Sequence, residues 1–402
     1  MERTAIILSL LVALGCSRSS SKPPPETARV TTDGLLARSN LEAMIAGREG
    51  MLARDPDSGP VRLTLVTLLQ ARASTYGRVE DLERAEQLAE QAVIRAPRSP
   101  EAWLARAASR ASLHRFAEAS TDLDKALSLG AEPAPAAAQR ASIALATGQF
   151  PAALALARAR ADREPGMATL SALGVALVES GDGAGASRTF SRALAMYRDT
   201  SPFPVAFIDF QEGLLAEQAG DFARAAERYR AVIARLPGHA QGAVHLASIE
   251  MALGRYDSAD RALQTLVREA SDPEIFATRA ELDRRRGDLA GAAREEAAAR
   301  RRYEVLLARH PDAFADHAAR FFLDREPAQA LHWAMHNLEV RKTPEGFDLA
   351  LSAALRARDS AARCEIARRA ATVGTAIPRL GLRISDALAT CPVDPRLAGT
   401  AG

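Results

Sequence analysis

Aromatic residues are scarce, at 5% of the 402-residue chain, with only two tryptophans. Cysteine occurs three times and never as a C-x-x-C pair, which removes the usual redox and metal pairing of thiols. No charge sign dominates, since 52 basic and 50 acidic residues leave a formal +2. Lysine appears only at Lys22, Lys125 and Lys342, so almost every cation is arginine. Acidic residues are interspersed among the arginines and no basic patch carries aromatics. The charge therefore reads as solvated helix faces under an arginine-rich coding bias, and not as a nucleic-acid footprint. No apolar run approaches the roughly 20 residues that span a bilayer comfortably.

Catalytic motifs are missing as well. The sequence has no nucleophile elbow, no metalloprotease helix motif and no P-loop. Gly181-Asp182-Gly183-Ala184-Gly185 lacks the preceding strand that a nucleotide loop needs and reads as a turn. His332 and His336 share a helix face, with Glu339 nearby, but two imidazoles and a loose carboxylate make a poor metal site. No metal, cofactor or small-molecule substrate is expected, and the chain reads as no enzyme.

What is abundant is alanine, which favours helix and lets helices approach closely. Glycine punctuates the alanine-rich stretches at Gly148, Gly181, Gly220, Gly254 and Gly287, at intervals of 33, 39, 34 and 33 by subtraction. Each follows one helical apolar pattern and precedes another, as the backbone of a tight helix–helix turn requires. A small residue recurs on the first helix of each unit, at Ala107, Ala141, Gly174, Gly213, Ala247 and Ala280. Another recurs on the second, at Ala85, Ala119, Ala153, Ala186, Ala225, Ala259 and Ala292. Pro97, Pro165, Pro237 and Pro311 close several units, because proline cannot continue a helix.

These slots, most fully between Gly213 and Pro237 and between Ala172 and Leu194, resemble the tetratricopeptide repeat, whose unit is about 34 residues long. The resemblance implies an all-α solenoid, a right-handed superhelix of antiparallel helix pairs. By length alone the chain would hold two or three domains, but a solenoid grows by adding repeats. The array is expected over residues 60–343 in about eight units, after a capping helix within 36–59. An insertion falls near Asp199–Pro204, and the second helix of the seventh unit runs on to Arg309. A degenerate helical cap over 344–391 and a tail over 392–402 complete the reading.

The N-terminus reads Met1-Glu2-Arg3, an apolar run from Ala5 to Leu14, and Gly15-Cys16. Residues 1–16 resemble a bacterial lipoprotein signal, which implies cleavage before Cys16 and its acylation. A plain secretory signal or a retained anchor helix are the alternatives. The polar, proline-rich residues 17–35 read as a disordered tether. The resemblance implies a lipid-anchored protein of the bacterial envelope facing the periplasm. Ser17, in the place of an Asp, points to the outer membrane. In an oxidising envelope Cys364 and Cys391 would form one disulfide, or remain two buried thiols.

In the tetratricopeptide family the first helices line a concave groove that holds peptides or helices. Projecting that register puts Val175, Val178, Phe207, Phe210, Leu214, Val244 and Met251 in the groove, flanked by Glu217 and Gln218. Glu281, Arg284 and Arg285 follow at a charged end. An exposed apolar strip of this kind marks an interaction surface; cover by the insertion or by neighbouring helices would make it core. The function implied is a noncatalytic, membrane-tethered adaptor for a protein or peptide partner. The second reading is an accessory scaffold in an envelope enzyme, secretion or polysaccharide complex.

Overall fold

The computed structural model describes residues 30–264, 266, 271–372 and 378–391. Among these, the regular elements are twenty helices. Helix α1 is Gly34–Arg54. The hairpins that follow are α2 (Gly59–Tyr76) with α3 (Val79–Arg95), α4 (Pro100–Ser112) with α5 (Phe116–Ser128), and α6 (Pro133–Ala146) with α7 (Phe150–Arg163). Next come α8 (Met167–Glu179) with α9 (Gly183–Met196), α10 (Pro202–Gln218) with α11 (Phe222–Arg235), and α12 (Ala240–Ala252) with α13 (Tyr256–Gln264). The last are α14 (Pro273–Arg286) with α15 (Leu289–Arg309), α16 (Pro311–Phe322) with α17 (Pro327–Val340), and α18 (Pro344–Arg356) with α19 (Ser360–Ala371). Helix α20 (Pro378–Ala389) ends the described chain.

The turn chemistry explains the glycine intervals. Gly220 sits at φ 75°, in the left-handed region, and the next amide, Asp221 N, donates back to the Ala216 carbonyl at 2.9 Å. That six-to-one bond closes α10. The Asp221 carboxylate then accepts from Arg224 N at 3.1 Å and opens α11. Gly181-Asp182 and Gly287-Asp288 repeat the device, with cap bonds of 2.7 and 2.8 Å. Two residues thus end one helix and begin the next. His114 and Arg358 occupy the same left-handed position at φ 59° and 56° without being glycine.

Helix spacing follows side-chain size. A Cβ on Gly174 would collide with the Phe190 ring, and one on Gly213 would lie 2.6 Å from Tyr229 Cε1. Both aromatics stand sixteen residues further on, as subtraction shows, and both are fully buried. Where that second position is Leu123 or Leu263, the first is Ala107 or Ala247, also fully buried. A large ring on one helix is accommodated by glycine on its partner, so the interhelical distance stays close-packed.

The described chain falls into two compact units, described separately. The first takes the described residues up to Leu145 and Gln149–Val305; the second takes Ala146–Gly148 and Leu306 onward. The division lies within the long helix α15, between Val305 and Leu306. Hairpins α16–α17 and α18–α19 with α20 belong to the second unit.

Within the first unit, contacts distant in sequence close the array on itself. Leu41 and Ile45 of α1 share a core with Leu65, Val66 and Leu69 of α2, and Phe203 packs against it. Thr32 N donates to the Thr200 carbonyl at 2.7 Å, and Arg235 Nη1 to Thr31 Oγ1 at 3.2 Å. A Cβ on Gly34 would collide with the Arg235 carbonyl oxygen. At the other end of α2, the Gly77 carbonyl accepts from Ser271 N and Asp272 N, both at 3.2 Å. The insertion near Asp199–Pro204 is thus where the segment entering α1 is seated.

Candidate interaction surface

The residues projected into a groove are largely core. Val178, Phe210, Leu214, Glu217, Val244 and Met251 are buried, Val175 and Phe207 are half-buried, and only Gln218 is exposed. The reading of these positions as an open apolar strip is corrected by what surrounds them. Val175 and Phe207 pack onto the cluster built around Leu170, Leu173, Phe190 and Ile208. The Phe210 ring is enclosed by Tyr229, His239 and His245, with centroids 5.6, 5.7 and 5.4 Å away. An incoming peptide would find no free face on it.

This cluster carries a buried polar network. Tyr229 Oη donates to Glu217 Oε2 at 2.6 Å, and His245 Nδ1 lies 2.9 Å from the same oxygen. Burial works against the Glu217 carboxylate, but the bonds from His245 and Tyr229 outweigh it and hold its pKa below the usual range. Burial, then the neighbouring Glu217, pushes the Tyr229 hydroxyl upward. His239 lies deep among neighbouring groups although part of its surface meets solvent, and burial lowers it to about 4. Its Nδ1 accepts from Gly242 N at 3.1 Å and caps α12, which fixes the neutral tautomer. Asp209 bonds Arg228 and Arg235 at 3.4 Å each, while Glu250 pairs with Arg230. Most of these groups satisfy one another, while Glu250 Oε2 is buried without a hydrogen bond. They form a polar cluster within the core of the first unit.

The charged end expected at Glu281, Arg284 and Arg285 does face solvent. Glu281 bonds Arg284 and Arg285 at 2.7 Å each, and Arg284 also reaches Glu296 of α15 at 2.7 Å. Beside them α14 and α15 frame an open cleft of about 380 Å³. It is lined by Arg284 of α14 and, along α15, by Leu289, Ala293, Ala297, Arg300, Arg301 and the one carboxylate of Glu296. Of the residues lining it, sequence reasoning singled out Arg284 as part of a working surface.

In the second unit, His332 and His336 flank the Trp333 ring at 4.8 and 5.8 Å. His336 Nε2 lies 2.8 Å from Asp312 Oδ1, while Glu339 turns away to Arg369 at 3.2 Å. The three residues weighed as metal ligands therefore do not converge. Among the described residues no three His, Cys, Asp or Glu side chains are arranged to hold a metal ion. Cys364 and Cys391 form a disulfide with Cα atoms 5.6 Å apart, joining α19 to the end of α20. Cys16 lies outside the described residues, and no helix among those described is long and apolar enough to cross a membrane.

Comparison with known proteins agrees with the hairpins. The family model of the tetratricopeptide repeat matches residues 216–282, from the end of α10 into α14. No curated protein sequence matches. Among solved structures, the Cut9–Hcn1 hetero-tetramer of the APC/C is similar at 16% identity and TM-score 0.46, over 83% of this chain and 63% of that one. Yeast Tom70 is similar at 13% identity and TM-score 0.39, over 88% and 93%. The human IFIT1 dimer with PPP-AAAA follows at 14% and 0.48, over 79% and 73%. The chain thus spans under two thirds of the Cut9–Hcn1 chain, and none of these likenesses carries an activity across. From its own hairpins, turns and small-residue slots, the fold is an all-α solenoid of the tetratricopeptide-repeat type, with the family's sequence pattern matched over residues 216–282.

Proposed function

We propose that this chain is a noncatalytic scaffold, tethered to a bacterial envelope membrane through Cys16, that holds a protein partner at the cleft between α14 and α15. The cleft carries the reading. Its Leu/Ala lining is open to solvent, with Leu289 69% exposed. Three arginines against one carboxylate at its lining suit a partner segment with acidic residues beside its apolar contacts. The tether is supported by the apolar run before Cys16 and the Ser/Pro-rich spacer after it.

The test is crosslinking in envelope extracts, comparing the native chain with Leu289→Asp and Arg301→Glu after circular dichroism shows equal helicity. A partner captured by the native chain, lost from both variants and carrying an acidic contact segment supports the reading. Equal capture by all three removes the cleft from the interaction, and capture by none removes the scaffold.

A further inference from the structure

Helix α1 presents three faces. Gly34, Ala37, Leu41 and Ile45 are buried against the first unit. Glu42 and Glu49 lie on a second side. On a third, at about 100° per residue, Leu36, Asn40, Met44, Gly47, Met51 and Arg54 fall within roughly 80° of one another. Leu36, Met44 and Met51 are 53%, 51% and 39% exposed, and a Cβ on Gly47 would meet nothing within 4 Å. From Leu36 to Arg54 this side carries no carboxylate and ends on an arginine, with the capping Asp33 before it and Asp55 after it. Among the described residues thirteen large apolar side chains are exposed, and five of them, Val30, Leu35, Leu36, Met44 and Met51, lie in residues 30–51. The exposed apolar surface is therefore concentrated where the chain arrives from its N-terminal apolar run.

We propose that this third face of α1 docks on an anionic lipid surface, and so sets how the first unit stands on the membrane. The inference rests on the tether reading. Twenty residues separate Cys16 from Leu36, by subtraction, and an extended chain of that length reaches at most about 70 Å. A tethered α1 thus meets the lipid as an intramolecular event, so a modest apolar face suffices. A carboxylate-free face of Leu, Met and Gly beside an arginine fits the headgroup boundary of a negatively charged leaflet. Because α1 is pinned by Leu41, Ile45 and the Thr32–Thr200 bond, its docking orients the body it belongs to.

The test uses the full chain and its chemistry as found. Cys364 and Cys391 are bonded, which leaves Cys16 as the free thiol among three cysteines. It is coupled to a maleimide lipid in vesicles of phosphatidylcholine with phosphatidylglycerol. The chain is then exposed briefly to peroxide, and methionine sulfoxide is read by mass spectrometry. Met196 of α9, 43% exposed, serves as the internal standard. Docking slows oxidation of Met44 and Met51 about tenfold relative to Met196. An unchanged ratio overturns the proposal. The same slowing without vesicles, at raised protein concentration, also overturns it and assigns the face to a second copy. The tether is made chemically here, so the result does not depend on acylation in cells. That reading fails separately if cell-derived protein shows an unmodified Cys16 by mass.

Discussion

Hairpins α10–α11 and α16–α17 reach similar packing by different local means. The first uses turn chemistry: left-handed Gly220, the back-donated Asp221 amide and the Asp221 cap. The second has no left-handed residue at its turn. Leu323 stays helical at φ −50°, Glu326 N donates to the Phe322 carbonyl at 2.8 Å, and Pro327 opens α17 without a side-chain cap. Yet Ala318 and Ala334, sixteen apart by subtraction, are as buried as any small pair in the first unit. The family match covers the first turn and stops before the second. Turn residues make a repeat recognisable; close-packed small residues make it a hairpin.

The strongest test of that contrast is a pair of core truncations. Phe210→Ala and Phe322→Ala each remove a ring that is at most 1% exposed, and each should cost about 3–5 kcal/mol in denaturant unfolding. Equal losses would show that both hairpins depend alike on packing. A negligible loss at Phe210 would restore it to an open groove. The turns should then differ. Asp221→Ala should cost about 1 kcal/mol through the lost cap. Asp324→Ala, at a carboxylate that pairs with Arg356 on an open surface, should leave the midpoint where it was.

Acid gives an effect of the same order as the lost cap, and at His239 it acts beside the first hairpin. His239 has a folded pKa of about 4, below its ordinary 6.5, so the unfolded chain binds the proton more readily. Its contribution is present above pH 6.5 and is lost as pH falls from there towards 4. The loss should be on the order of 1 kcal/mol, discounted for the part of the ring that meets solvent. His239→Asn, which keeps a capping acceptor, should flatten that slope in thermal melts recorded across the window.

Much of this was legible in the residues. Gly181, Gly220, Gly254 and Gly287 announced their turns because only glycine adopts left-handed φ without cost. Gly174 and Gly213 marked a small-residue slot on the first helix, while the rings of Phe190 and Tyr229 opposite them emerged with the structure. The turns at His114 and Arg358 were silent, since nothing in those side chains advertises a positive φ. The groove failed for another reason. Whether Phe210 is open depends on how whole hairpins close around it, and the hydrogen bonds that close the first unit join residues 168 or more apart. Repeat spacing carries no information about such pairs. The division within α15 was hidden likewise, because the helix runs through it without a break.

The bonds from Ser271 and Asp272 to the Gly77 carbonyl bear on how such a chain can change over generations. An open solenoid gains or loses a unit freely, since each unit touches only its neighbours. Here the first hairpin also holds the junction before α14, so the hairpins between them work as a count. Duplicating or deleting α4–α5, α6–α7 or α8–α9 would part Gly77 from Ser271 and Thr32 from Thr200 together, and doing so to α10–α11 or α12–α13 would part Gly77 from Ser271. The first unit is therefore free to vary in residue identity while its number of repeats is held fixed.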